Sequence, residues 1–167
     1  DNYCLLDDCR GPLAEPDAYP NEVWSEVADA LAARLAGLPV AAGKGGTGTG
    51  ALSYHRRELM GFALNALANA DRADEIVSIL EREASITQCY DQLVDRLIAD
   101  GKLVEAKRWA EEGIRETAEE RQGIAASLRK RLRTMAEAAG DLAGTAAYRA
   151  AELFRSPSLG CYISLHE

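Results

Sequence analysis

The sequence has few of the residues that stabilise a protein lacking a large core. Four cysteines among 167 residues are too few and too scattered for a secreted disulfide scaffold. No stretch approaches the roughly 18 consecutive apolar residues of a membrane span. With 47% hydrophobic and 28% charged residues, the composition also excludes a disordered tail. The chain therefore has the length and composition of a globular protein with a core of its own.

Positive charge is also in short supply. Lysine and arginine total 19 against 27 acidic residues, which gives a net charge of -8 and a pI near 4.9. Such a chain repels polyanions, so nucleic-acid binding is disfavoured and no membrane partner is expected. The chain starts without methionine and lacks a basic stretch before an apolar one, so we expect no export signal and a fragment of a longer protein. Reduced cysteines in a cytoplasmic protein are the default expectation.

What the sequence has in abundance favours helix. It contains 30 alanines and 20 leucines against 19 valines, isoleucines and threonines together, and the first two residue types lose the least side-chain freedom in a helix. We predict an all-α protein. Residues 1–40 form a helical segment with a proline-rich connection, residues 41–52 a glycine-rich flexible loop and residues 53–167 a helical-repeat domain.

Apolar residues recur at helical spacing along most of the chain. Because most neighbouring segments after residue 53 are separated by two or three residues, consecutive helices should run antiparallel. The predicted helices cover residues 21–36, 54–69, 73–83, 86–99, 103–116, 119–139, 142–155 and 158–166.

Parts of this pattern repeat. Residues 97–110 align with residues 136–149, and the alignment matches Gly101 to Gly140. A weaker copy upstream matches Leu67 to the first residue of the 97–110 segment. We expect both glycines to end a helix in the left-handed conformation, because glycine adopts it without steric cost.

The repeat resembles a known pattern. Tetratricopeptide proteins have three large residues, a glycine turn and then small residues on the second helix, an order similar to that of Tyr90, Leu93, Leu97, Gly101, Leu103, Ala106, Ala110 and Gly113. The offsets here are unequal, whereas that family has a strict period. The fold predicted from this resemblance is antiparallel helix pairs stacked as a short right-handed solenoid.

Residues 54–167 are more specifically similar to the helical-repeat region of bacterial proteins that carry a SWIM zinc finger. The likeness lies in the segment Leu97–Gly113 and in the residues from Ala139 to Leu165. It implies a helical-repeat fold and a bacterial cytoplasmic setting. The zinc finger itself needs Cys-x-Cys followed by Cys-x-His, and neither occurs in this sequence, so no metal role is implied.

Three motifs have partial similarity to phosphate-binding, metal-binding or proton-transfer sites. Lys44–Thr49 is similar to a variant phosphate-binding loop, but it lacks the second lysine and a preceding buried strand, so a flexible linker is favoured. Cys4 and Cys9 would supply only two of the four ligands of structural zinc. His55 and Glu58 fit a solvated helix start better than a metal or proton-transfer site.

No nucleophile has the partners that catalysis needs. Cys161 and His166 lie five residues apart on one short helix, a spacing that directs them to different sides. We therefore expect no enzyme activity, no cofactor and no metal.

The run Arg129–Arg133 is the one basic concentration in the sequence. One interpretation is a solvated face paired with Glu119, Glu120 or Glu137, and the other is a docking patch for an acidic partner segment. The aromatic residues also have two interpretations. They either pack in the core between helices or line an exposed groove that binds a peptide. The candidate partner-binding residues are Tyr90, Gln92, Arg96, Arg129 and Arg133.

The leading hypothesis is a protein–protein interaction or scaffolding module that binds a protein or peptide, and a homo-oligomer is compatible with it. The alternative is a nucleotide- or nucleic-acid-linked accessory domain that uses the glycine-rich loop or the Arg129 cluster. A third alternative is structural support for a zinc-binding part outside this sequence.

Overall fold

The computed structural model describes residues 19–40 and 49–166, and these residues are all-helical without strands. The prediction of an all-α protein is thereby confirmed. The helices are α1 (Asn21–Gly37), α2 (Thr49–Asn69), α3 (Glu75–Thr87), α4 (Tyr90–Ala99), α5 (Leu103–Thr117), α6 (Gln122–Ala138), α7 (Leu142–Arg155) and α8 (Leu159–His166). The chain divides into two compact units, residues 1–87 and 88–167. The domain boundaries predicted at residues 40/41 and 52/53 stay predictions.

In the first unit, α2 packs against both α1 and α3. Trp24 of α1 is buried, and the ring of Tyr19 meets it edge-on with centroids 6.0 Å apart. One face of α2 is buried and consists of Leu59, Ala63, Ala66 and Leu67, with Phe62 half-buried beside it. Burial of such a face supplies most of the stability of a helix this size.

In the second unit, each helix packs against the next one, and α4 also contacts α6. Leu93, Val94 and Leu97 of α4 are buried, as are Leu128 and Leu132 of α6. These two leucines lie one turn apart and form the buried face of α6, whereas Ala139 is exposed because the helix ends one residue earlier.

Three helix ends have the same local geometry. Asp71, Gly101 and Gly140 follow α2, α4 and α6, and all three have a positive φ of 57°, 73° and 69°. At each end the backbone amide of the following residue donates to the carbonyl oxygen five residues before it. The distances from amide nitrogen to carbonyl oxygen are 2.9 Å for Arg72, 2.9 Å for Lys102 and 3.0 Å for Asp141. This bonding satisfies carbonyls that the helix leaves open. The left-handed caps predicted at Gly101 and Gly140 are confirmed.

The largest differences from the predicted helix boundaries lie at the start of α2 and between α3 and α4. Residues 49–52, predicted as the end of a flexible loop, form the first turn of α2, because extending an existing helix costs far less than nucleating one. Helix α3 runs to Thr87, and the turn falls at Gln88, which has a φ of 57°. Since Gln88 is neither glycine nor proline, the sequence carries no turn signal there.

Candidate interaction surface

Tyr90, one of the five candidate partner-binding residues, is in the interior of the second unit. Its side chain is 1% exposed, its ring lies 6.4 Å from that of Trp109, and burial raises its pKa to about 12. It packs beside Gly113, where an added Cβ would stand 2.8 Å from the Cβ of Tyr90 and 2.6 Å from a methyl group of Leu128. Tyr90 therefore packs in the core between helices and contributes nothing to an exposed surface.

The two other candidates on α4 lie at the surface. Gln92 is exposed, and Arg96 is half-buried, with its Nε donating to Asp100 at 3.2 Å. An ion pair of this kind one turn along a helix adds only a few tenths of a kcal/mol, about 0.3–0.5. Nothing in this arrangement marks either residue as more than part of a solvated helix face.

Arg129 and Arg133 lie on the side of α6 that faces α7. On this side, charged residues of the two helices form successive ion pairs. Arg133 Nη1 donates to Glu152 at 2.5 Å, and Arg149 Nη2 donates to Glu137 at 3.2 Å. As the residue number rises on α6 it falls on α7, so the two helices run antiparallel. We call this set of cross-helix charge positions the α6–α7 ladder.

Arg129, beside the ladder on α6, is close enough to Arg155 of α7 to be affected by its charge. Arg129 precedes Arg133 by one turn, and Arg155 comes three residues after Glu152. Burial lowers the pKa of the Arg129 guanidinium, and the positive charge of Arg155 lowers it further. Among the described residues, no carboxylate forms an ion pair with either arginine.

Arg131, in the middle of the predicted basic run, belongs to a different contact. It makes a two-pronged ion pair with Asp95 of α4 and also donates to Ser127. The hydrogen bond to Asp95 raises the pKa of Arg131. The basic run is thus divided, because Arg131 and Arg133 form ion pairs with carboxylates of this chain whereas no such pair of Arg129 is found among the described residues.

On α7 and at the start of α8, apolar side chains face solvent. Helix α7 buries none of its residues, Phe154 is 85% exposed and Leu159, the first residue of α8, is 75% exposed. Sequence reasoning did not select these residues. The signal was available, because Ala143, Ala147, Ala151 and Phe154 fall on one face of the helix at three- and four-residue spacing.

The first unit contains a buried ion pair that the sequence analysis also missed. Arg56 Nε donates to Glu83 Oε2 at 2.5 Å, Nη2 donates to Oε1 at 3.0 Å, and Nη1 donates to the carbonyl of Leu38 at 3.0 Å. The Glu83 side chain is fully buried, and its hydrogen bond raises the pKa of Arg56. All three partners belong to the packing of α1, α2 and α3, so the pair is structural. The sequence did contain a signal for this pair, because Glu83 is an acidic residue at a position of α3 where the helical spacing of apolar residues predicts a buried side chain.

Other candidate chemistry finds no geometric support in the described residues. Within residues 19–40 and 49–166, no group of three histidine, cysteine or acidic residues is placed to hold a metal ion. Cys4, Cys9 and most of the 44–49 loop lie outside that part of the chain. None of the helices that the structure describes is both long and apolar enough to cross a bilayer.

Comparison of this chain with protein-family models, with curated proteins and with solved structures finds no match.

Proposed function

We propose that the second unit is a protein-interaction module that binds another polypeptide beside α7 and α8. In this proposal its helix pairs stack as a short right-handed tetratricopeptide-like solenoid, of the kind found next to the SWIM zinc finger in bacterial cytoplasmic proteins. The shared cap geometry after α4 and α6 supports this repeat, because the same local bonding recurs at the aligned glycines. The proposed role is binding rather than catalysis.

The observation that carries the proposal is the uncovered α7. This helix has an apolar face, yet it buries no residue, while α4, α5 and α6 each bury three or more. An exposed phenylalanine with a leucine nearby is the kind of apolar surface that marks interaction sites on globular proteins. Aromatic side chains of this type also dominate binding energy when a partner covers them.

The nucleic-acid alternative has weaker support. Two of the arginines in the basic run already meet carboxylates of this chain, and the net charge is -8. A surface that binds a phosphate backbone needs several unneutralised cations in a row. The glycine-rich loop of the nucleotide-binding alternative lies largely outside the described residues.

Site-specific photo-cross-linking tests the proposed module. A photoreactive amino acid replaces Phe154, and in a control chain it replaces Glu111, which is exposed on α5. We expect cross-linking in the native cells to yield a discrete set of proteins from position 154 that is absent from position 111. Identical products at both positions, or none at position 154, would refute the interaction module.

A further inference from the structure

The outward side of α7 carries no charge. The helix has three charged residues, and two of them, Arg149 and Glu152, form ion pairs with α6 on its inner side. The third, Arg155, is the last residue of the helix. Helical spacing places a set of exposed apolar residues on the side opposite the ion pairs, which we call the outer face of α7. Its residues are Ala143, Ala147, Ala151 and Phe154.

Helix α5 has the equivalent place in the sequence repeat, and its outward side is charged. The alignment of residues 97–110 with residues 136–149 matches Arg108 of α5 to Ala147 of α7. Arg108, Glu111 and Arg115 are all exposed on α5, as is usual on the solvated side of a helix. The outer face of α7 lacks such charges and instead includes Phe154, which is 85% exposed. This contrast indicates a face that a partner covers.

The outer face of α7 is complementary in shape to a copy of itself. Its largest side chain, Phe154, lies near the C-terminal end of the helix, and a small one, Ala143, lies near the other end. If two α7 helices pack antiparallel about a twofold axis, Phe154 of each copy lies opposite Ala143 of the other. A parallel pair would place the two phenylalanines against each other and the two small residues against each other, which packs less well.

Charge favours the same arrangement. Asp141 is exposed just before α7, and Arg155 is exposed at its last residue. An antiparallel pair brings the positive end of each helix beside the negative end of the other, and the two helix dipoles oppose each other as well. The face between these ends is uncharged, so two chains that each carry a net charge of -8 can meet there without contact between like charges.

We infer that the outer face of α7 binds the same face of a second copy of this chain, as an antiparallel pair with twofold symmetry. This inference rests on the proposed function and identifies the partner. Because a contact made by one helix face belongs to the smaller class of interfaces, we expect a weak dimer with a dissociation constant of about 10–100 µM.

Sedimentation equilibrium of the complete chain tests the inference. Over concentrations from about 5 to 500 µM, the average mass should rise from that of the monomer towards that of the dimer. A mass that stays at the monomer value throughout this range would overturn the inference.

A pair of variants locates the interface. Ala147 lies close to the midpoint between Ala143 and Phe154, so A147E brings the new carboxylates of two copies near the twofold axis and should weaken the dimer at least about tenfold. V104E adds the same charge at a residue that is 85% exposed on α5, and should change dimerisation less than about twofold. Equal effects of the two variants, or an unweakened A147E dimer, would reject the outer face of α7 as the interface.

Opposite charges at one position separate a lost contact from a damaged fold. Neither A147E nor A147K should dimerise well alone, whereas an equal mixture at low salt should form a mixed dimer, because the two positions lie near each other across the axis. A misfolded variant would not regain association in this way. Failure of the mixture to associate more than either variant alone would contradict the twofold pairing.

Photo-cross-linking of the purified chain gives the orientation. In a mixture of isotopically labelled and unlabelled chains, a photoreactive residue at position 154 should cross-link two copies, with the attachment in the peptide that contains Ala143 and Ala147. Attachment near position 154 of the other copy would indicate a parallel pair and contradict the inference. If the purified chain is a monomer but position 154 cross-links other proteins in cells, the proposed function holds and the second copy is rejected. Absence of cross-links in both settings would remove both.

Discussion

The two compact units of this protein stabilise their interiors in different ways. The first unit places an ion pair, Arg56 with Glu83, among its buried side chains. Among the described residues of the second unit, Thr117 is the one polar residue that is buried as a whole; Gly113 allows close contact between helices, and the ion pairs lie at the surface. Burying a charge pair requires nearly complete hydrogen bonding, and the contact of Arg56 with the Leu38 carbonyl provides part of it.

The difference shows where each unit is sensitive to change. In the first unit, removing one charge leaves its partner buried without compensation. In the second unit, α4 to α6 depend on apolar packing, whereas α7 buries none of its residues and forms ion pairs with α6. Surface ion pairs contribute about 0–1 kcal/mol each, so α7 can change more without loss of the fold.

The largest expected effect breaks the buried pair. Glu83→Gln should destabilise the first unit by about 3–5 kcal/mol, because Arg56 would stay buried without a counter-charge. Asp95→Asn, which breaks the more exposed pair with Arg131, should cost less than about 1 kcal/mol. Chemical denaturation of both variants measures the two costs. If Glu83→Gln costs no more than Asp95→Asn, the contrast between the units is wrong.

Leucine truncation compares the packed and uncovered helices of the second unit. Leu128→Ala should cost about 2–5 kcal/mol, because the side chain is fully buried and a cavity remains. Leu142→Ala, at a residue that is 82% exposed, should cost less than about 0.5 kcal/mol. Urea midpoints of the two variants provide the test. Similar midpoints would show that α7 is covered in solution.

Glycine substitution tests the close contact of helices. Gly113→Ala should cost about 1–3 kcal/mol, because the new Cβ would overlap with Tyr90 and Leu128. Gly123→Ala, where the space is open, should instead stabilise its helix by up to about 1 kcal/mol. Opposite shifts in melting temperature are therefore expected. Shifts of the same sign and size would refute the packing role of Gly113.

The smallest effect concerns the helix caps. Gly101→Val should cost about 1–2 kcal/mol, because a β-branched residue resists a φ of 73°. Gly101→Asn should cost less, since asparagine tolerates this conformation better. Thermal melting orders the three proteins. Equal melting temperatures for Gly101 and its valine variant would reject the left-handed cap as a determinant of stability.

Much of the helical pattern could be predicted because its signals are local. The bounds predicted for α7 are those observed, since Asp141 caps its start by accepting from the Gly144 amide at 2.8 Å and Ser156-Pro157 follows its end. The turn at Gln88 could not be predicted, because its left-handed backbone is imposed on a residue that gives no turn signal.

The candidate site could be predicted only in part. The partner-binding role predicted for Arg129 stays a prediction, and the charge of Arg155, 26 positions away in the sequence, acts on Arg129 only because α7 packs on α6. Tyr90 was selected as an exposed aromatic and is buried, because the spacing that places it on α4 does not specify which face is covered.

By itself, the sequence determined the helices and the two glycine caps, because hydrogen bonds and side-chain freedom within a few residues decide these features. Only the tertiary structure decided which arginines of the basic run meet a carboxylate of this chain. Arg131 finds Asp95 36 positions away, and Arg133 finds Glu152 19 positions away. Residues this far apart in the sequence come together because the apolar faces of the helices pack against each other. The geometry of the packed helices, rather than the order of residues in the chain, then decides which charges meet.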